Sequence, residues 1–206
     1  MSVMTNQINI VYRQQRTYGT SRRAIDFVVA LAALAISAPI LIAAVLAIVI
    51  EDGGPVLFKQ RRIGRFGRPF TIYKLRTMRI SSCGDAYKPA AGVDPRITRV
   101  GRVLRKLSID ELPQFANVVL GDMAVVGPRP EMPFIVRRYE RWQHLRSLAP
   151  PGITGLWQTT VRSTVPLDRP EATLIDLDYV RRASTTYDLA LVARTFTALL
   201  IRRGAF

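Results

Sequence analysis

The sequence predicts an α+β chain, mainly helical. One long apolar helix with a break at its middle accompanies a small domain that carries a short β-hairpin and amphipathic helices. Three observations lead there. Residues 27–50 form an uncharged apolar run of 24 residues, long enough for a membrane helix. Residues 55–60 and 70–75 are short β-type runs on either side of Gly64-Arg65-Phe66-Gly67, the pattern of a hairpin. Proline and glycine cut most of the remainder into segments of helical spacing. A length of 206 residues accommodates one such domain with a real core.

Residues 1–20 are polar and read as a tail; residues 21–51 carry the apolar helix. Ser37 and Pro39 lie at its middle. Pro39 lacks an N–H and its ring crowds the preceding turn, and Ser37 is placed to offer the freed carbonyl a hydrogen bond. A break there leaves two arms of about 11–12 residues, about 17 Å each, and neither crosses a hydrocarbon core of about 30 Å. Arg22 and Arg23 precede the run and Lys59, Arg61 and Arg62 follow it, so both ends suit the cytoplasmic side. A re-entrant helix meets that condition. A kinked single span and a buried helix of a soluble core are the competing readings.

Glu51-Asp52-Gly53-Gly54-Pro55 is a stop and turn. Beyond the hairpin, residues 81–95 read as loop, 96–106 and 112–120 as helices, and 124–126 as a strand leading into the rigid loop Gly127-Pro128-Arg129-Pro130. Residues 134–147 read as one charged helix, stopped by Pro150-Pro151-Gly152. Residues 159–170 read as irregular, and 171–182 and 187–203 as helices. In the last helix, Leu189, Val192, Phe196, Leu199 and Leu200 accompany Arg194, Arg202 and Arg203. Such a basic amphipathic face lies in a membrane interface or packs on a core.

Lys and Arg number 30 against 15 Asp and Glu, a net charge of +15. A field of that sign draws nucleic acid, anionic headgroups or phosphorylated substrates. Cys83 and His144 are the only residues of their kinds, which excludes an intrachain disulfide and a cysteine-based zinc site. No G-x-S-x-G elbow supports a serine triad. Neither GxxxxGK[ST] nor GxGxxG is present, so a P-loop or Rossmann site is unsupported.

The cations are clustered. Lys59, Arg61, Arg62, Arg65, Arg68, Lys74, Arg76 and Arg79 follow one another with no acid between them. They are suited to lipid headgroups or to phosphate, or simply to solvent. Arg96, Arg99, Arg102 and Arg105 recur every three residues, a basic stripe on a helix, and lead into Ser108-Ile109-Asp110-Glu111-Leu112-Pro113. Ser108 with Glu111 fits a capping box, and Asp110 as N-cap competes with it. An ordinary helix start explains the two carboxylates. So does chemistry: adjacent carboxylates among cations can hold a hard cation such as Mg²⁺ or attack phosphorus, and phosphoryl transfer asks mainly for positioning and charge neutralisation.

From about Arg22 onward the chain resembles the bacterial sugar transferase family, the monotopic polyprenyl-phosphate phosphoglycosyl transferases. The pieces stand in the family's order: the apolar block with Ser37 and Pro39; Gly54-Pro55-Val56-Leu57-Phe58-Lys59-Gln60-Arg61-Arg62-Ile63-Gly64; Lys74-Leu75-Arg76-Thr77-Met78; Asp94-Pro95-Arg96-Ile97-Thr98; Asp110-Glu111-Leu112-Pro113-Gln114; Gly121-Asp122-Met123; Val126-Gly127-Pro128-Arg129-Pro130-Glu131; and Pro151-Gly152-Ile153-Thr154-Gly155-Leu156-Trp157-Gln158. Single pieces are weak, and the ordered series is specific. After Gln158 the chain departs from the family, which often continues with a Gly-Arg pair.

The resemblance implies a re-entrant helix, broken at Ser37 and Pro39, that anchors residues 52–206 as a phosphoglycosyl transferase domain on the cytoplasmic face of a bacterial inner membrane. With no multi-helix region ahead of it, the chain looks like the family's short form. Asp110 is then the expected nucleophile toward a UDP-sugar, releasing UMP and holding the sugar phosphate until polyprenyl (undecaprenyl) phosphate takes it. Mg²⁺ is expected at Asp110 and Glu111, with the division of duties between them open. Arg129 matches the nucleotide-recognition loop, and Lys59, Arg61, Lys74 and Arg76 match basic positions near the active site. Arg96, in its matched piece, joins the expected substrate-binding set. Membrane lipids are expected partners and a homodimer is compatible with the sequence. Nucleic acid is not expected, since stacking aromatics are sparse. The alternative is a non-catalytic, membrane-tethered basic module binding anionic lipid or nucleic acid.

Overall fold

The computed structural model describes residues 18–79, 94–161, 164–167 and 169–200. Most of the N-terminal tail, most of the 81–95 loop with Cys83, and Arg162, Arg202 and Arg203 lie outside the described residues. Helix α1 (Thr20–Asp52) runs 33 residues with Pro39 inside it, about 50 Å along its axis. The expected interruption therefore does not end the helix. The Ser37 hydroxyl donates to the Leu34 carbonyl at 3.3 Å and not to the Ala35 carbonyl that Pro39 leaves free.

One face of α1 is buried, through Arg22, Ala30, Ser37, Ala44 and Ile48. These positions recur at helical spacing and form a single stripe. The rest is apolar and open: Ile36 is 79% exposed and Ile50 85%. Both ends of the helix dock on the same domain. Near its start, Arg23 donates to the carbonyls of Val118 and Val119 and Arg22 pairs with Asp188. At its end, Glu51 and Asp52 hold the 99–100 backbone and Arg76.

Strands β1 (Leu57–Ile63) and β2 (Pro69–Leu75) form the expected antiparallel hairpin, with Phe58 opposite Lys74 and Arg62 opposite Phe70. The turn at its tip holds Phe66 at φ 57. Helix α2 (Arg99–Lys106) starts three residues later than expected, capped by Thr98, whose hydroxyl accepts from the Gly101 N–H at 2.8 Å. Gly101 is required here, because a Cβ would lie 2.2 Å from the Thr77 carbonyl oxygen. A 3₁₀ turn (Ile109–Glu111) precedes α3 (Gln114–Leu120). Asn117, fully buried, donates to Thr71 O at 2.7 Å and accepts from Tyr73 N at 3.1 Å. Its amide thus occupies the free edge of β2 as a further strand would.

Strands β3 (Ala124–Val126) and β4 (Gly152–Thr154) pair in parallel, where only β3 was expected. Between them the helix expected over residues 134–147 is replaced by a four-residue α4 (Pro133–Val136) and a separate 3₁₀ segment (Gln143–Leu148). The Gln143 side chain takes the Glu140 N–H at 2.9 Å, a donor that a continuous helix would have spent on its own backbone. Helices α5 (Leu156–Thr160), α6 (Pro170–Arg182) and α7 (Thr185–Leu200) complete the domain. Val126, Leu156, Tyr179, Val180 and Leu191 form one core cluster. Ala30 with Ile72, Val118 and Met123, and Ala44 and Ile48 with Leu75 and Leu104, join α1 to the hairpin and to α2 and α3.

Candidate active site

The site forms where α2 runs out. Ser108 sits at φ 56, ψ 21, the left-handed region, with no capping bond from its side chain. Neither expected cap therefore exists: Asp110 and Glu111 belong to the 3₁₀ turn, and Pro113 stands at the start of α3. A left-handed residue other than glycine costs about 1 kcal/mol or more, and the tight turn it permits directs both carboxylates inward. Asp110 is 9% exposed.

Two cations converge on Glu111 from distant parts of the chain. Lys74 Nζ, on β2, lies 2.7 Å from Glu111 Oε1. Arg129, from the loop after β3, places Nη2 2.9 Å from Oε1 and Nη1 3.5 Å from Oε2. Burial by itself would raise the Glu111 carboxyl, but Arg129 and Lys74 hold it well below the usual carboxylate range. Asp110 differs. Burial pushes its carboxyl up, Lys74 and Arg105 pull it down, and Glu111 adds to the rise. Among the described residues no group donates a hydrogen bond to the Asp110 carboxylate, whereas its neighbour accepts from both Lys74 and Arg129.

A second layer fixes the loop that bears Arg129. Gly127 approaches its neighbours too closely for a side chain, since a Cβ would lie 2.2 Å from Pro150 O. Arg146 donates to the Arg129 carbonyl at 2.9 Å and to the Tyr139 hydroxyl at 2.6 Å, and pairs with Asp176. Arg62 donates to Pro130 O at 3.1 Å and to Gln60 Oε1 at 2.6 Å, and burial next to Arg129 lowers it to about 10. Glu131 is 3% exposed, and among the described residues its Oε1 finds no donor. A pocket opens beside this loop, lined by Ile63, Arg129, Glu131, Tyr139, His144 and Arg146 among others.

Of the residues singled out by sequence, Asp110, Glu111, Lys74 and Arg129 come together. Lys59 and Arg61 alternate onto the opposite face of the hairpin, with Lys59 6.0 Å from the Tyr73 ring. Arg76 is buried on Asp52, at 2.7 Å. Arg96 closes on the Asp94 carboxylate with both ends of its guanidinium, at 3.0 and 2.8 Å. Arg62, Arg105, Arg146 and Glu131 were not singled out for the site. Arg62 was within reach of the sequence: once Phe58 faces Lys74, the two-residue period puts Arg62 on the same side. Arg146 was not, because its partner Asp176 is distant in the chain.

Magnesium fits this donor set in a limited way. Among the described residues no group of three or more His, Cys, Asp or Glu could hold a metal ion. Mg²⁺ is commonly held by one or two carboxylates, with phosphate oxygens and water completing the shell. Asp110 and the less engaged Oε2 of Glu111 offer that much, and a diphosphate would supply the rest.

The fold and the site together define an α+β domain seated on a long apolar helix, with a carboxylate pair set among cations that suit phosphate. The description "bacterial sugar transferase" belongs to the family whose pattern matches residues 6–202. A UDP-glucose:undecaprenyl-phosphate glucose-1-phosphate transferase of Caulobacter vibrioides is 42% identical over 200 residues, covering 90% of this chain and 72% of that protein. The exopolysaccharide production protein ExoY of Sinorhizobium fredii is 36% identical over 203 residues, covering 91% and 89%. A UDP-N-acetylgalactosamine-undecaprenyl-phosphate N-acetylgalactosaminephosphotransferase of Aeromonas hydrophila is 36% identical over 192 residues, and there the chain spans only 45% of the relative's length. The chain belongs to the bacterial sugar transferase family, and by that membership it is a phosphoglycosyl transferase.

Proposed function

We propose that this chain transfers a sugar 1-phosphate from a UDP-sugar to undecaprenyl phosphate through a covalent intermediate on Asp110, at the cytoplasmic face of a bacterial inner membrane. The observation that carries this reading is the unequal pair. Glu111 is held by two cations, whereas Asp110 is enclosed and free of hydrogen-bond donors among the described residues. A carboxylate relieved of donors keeps its lone pairs for attack.

Asp110 attacks the phosphorus that bears the sugar. The bond from that phosphorus to the UMP oxygen breaks, and UMP leaves with the electron pair. The acceptor's phosphate oxygen then attacks the same phosphorus, the bond to Asp110 breaks, and the carboxylate is restored with polyprenyl diphosphate-sugar as product. Lys74 and Arg129 orient the donor's diphosphate and offset its charge. Mg²⁺, held by Asp110 and Glu111 together with the diphosphate, would supply further charge neutralisation.

The placement at a membrane rests on α1. A re-entrant arrangement is favoured because both ends of the helix grip one domain, whereas a bilayer-crossing helix would put those ends on opposite sides of the membrane. Exopolysaccharide assembly is the pathway that the name of the ExoY relative supports.

The test is UMP release by purified chain with undecaprenyl phosphate, using UDP-glucose, UDP-galactose and UDP-N-acetylgalactosamine, with and without EDTA. Metal-dependent release, sustained only with the lipid, is expected from the parent. Asp110→Asn is expected to remove it, and to remove the acid-stable labelling of the protein by a donor labelled in the sugar, while leaving membrane association intact. Turnover by Asp110→Asn would refute the covalent assignment.

A further inference from the structure

The last two residues of α1 break a rule of helix electrostatics. A helix C-terminus carries partial negative charge and disfavours carboxylates, yet α1 ends on Glu51 and Asp52. Each acid has a specific partner that offsets this. Glu51 accepts from the Arg99 N–H at 2.7 Å and from the Val100 N–H at 2.8 Å, the first two amides of α2. With Thr98 on the Gly101 N–H, the open amides at the start of α2 are satisfied. Asp52 pairs with Arg76 at 2.7 Å, and Arg76 also donates to the Gly53 carbonyl. Arg76 lies two residues beyond Lys74, directly after the end of β2.

These two elements are the ones that meet at the carboxylate pair. α2 leads through Ser108 to Asp110, and β2 carries Lys74 to Glu111. They are tied to each other as well: the Thr77 carbonyl accepts from the Thr98 N–H at 3.2 Å, the Arg105 Nε donates to the Thr77 hydroxyl at 2.8 Å, and Leu104 packs with Leu75, Ala44 and Ile48.

We infer that Glu51 and Asp52 form a positioning clamp, in which the end of the apolar helix sets the relation of Lys74 to Asp110 and Glu111. Neither acid touches substrate in this arrangement. They hold the two supports of the site to the same point of the membrane-seated helix, so the depth and tilt of α1 are passed directly to the reacting groups. A misplacement of even about 1 Å at such a site can cost on the order of 100-fold in rate. The kinetic consequence rests on the proposed reaction; the structural consequence does not.

The test uses the full chain in lipid nanodiscs with Glu51→Ala, Glu51→Gln and Asp52→Asn. Amide hydrogen exchange is followed alongside UMP release. In Glu51→Ala, exchange is expected to quicken from residue 99 through residue 111 while α6 keeps its protection. The expected kcat falls by about tenfold or more, with KM for the UDP-sugar within about twofold, because the Arg129 loop is held separately. Glu51→Gln, which keeps an acceptor oxygen, should lie between this variant and the parent, and it remains informative if Glu51→Ala does not fold. Asp52→Asn should quicken exchange at residues 73–76. Quickening confined to residues 99–101, with kcat within about twofold of the parent, would show an ordinary helix cap and overturn the clamp. A parent that releases no UMP would defeat the proposed reaction and leave exchange at residues 108–111 to decide the clamp.

Discussion

Asp110 and Glu111 are neighbours in the chain whose carboxyls are driven in opposite directions, and the difference lies in what each touches. Glu111 has Lys74 and Arg129; Asp110 has burial. Glu131 extends the same logic to the loop behind them. Burial holds its carboxyl above the ordinary range, against the pull of Arg146 and Arg62. An acid with a raised folded pKa costs the folded state stability as pH climbs from its unfolded value, about 4.3, through its folded value. Glu131→Gln resembles the protonated form. It is expected to match the parent near pH 4 and to melt higher at pH 7, each kcal/mol being worth roughly 2–4 °C in a chain of this size. Thermal melts across that range check it, and a gap that is constant or narrows with pH contradicts it. The carboxylate pair was legible in the sequence as two acids among cations. Which cations grip Glu111 was not, since Lys74 and Arg129 stand 37 and 18 positions away from it.

The hairpin shows how an element sorts residues that the sequence groups together. Lys59, Arg61 and Lys74 belong to one basic run, but the two-residue period of a strand sends Lys59 and Arg61 to one face and Lys74 to the other. The strand that carries Lys74 is also held along its free edge by α3. Asn117→Leu would leave Thr71 O and Tyr73 N buried without partners, at a cost of about 3 kcal/mol. The melting temperature should drop by roughly 6–12 °C, and a fall of less than about 2 °C would show that water or a shift of the strand replaces the amide. The same element-level contacts explain the helix that did not form over residues 134–147. Its periodicity is helical, but Arg146 is drawn to Asp176 and Arg129, and Gln143 to the Glu140 amide. The partners of Arg146 outside the segment, and the side-chain bond of Gln143 to an amide within it, outweighed its propensity.

For the chain as one body, the main question is how α1 sits in the bilayer. Its exposed apolar surface runs along most of its length, while Arg22 and Arg23 at one end and Glu51 and Asp52 at the other are anchored in the domain. Ser21 and Pro55 should therefore face the same compartment. In a Cys83→Ser background, Ser21→Cys and Pro55→Cys are expected to react alike with a membrane-impermeant maleimide in inside-out vesicles. Labelling of the two from opposite sides would mean a spanning helix, and would require the domain contacts at one end to be released. Pro39 does not interrupt the helix, since α1 runs through it.

Local chemistry was enough to specify the apolar helix (though not its continuity through Pro39), the hairpin with its turn, and a stop near Gly53-Gly54-Pro55, two residues later than the sequence alone placed it. All of these depend on residues close together in the chain, where backbone sterics and hydrophobic period act directly. Tertiary structure alone decided the pairing of Glu111 with Lys74 and Arg129, the burial of Asp110, the parallel pairing of β3 with β4, and the docking of both ends of α1 on one domain. Each of these requires groups far apart in sequence to share one desolvated space. There the cost of burying an unpaired charge or amide outweighs local preference.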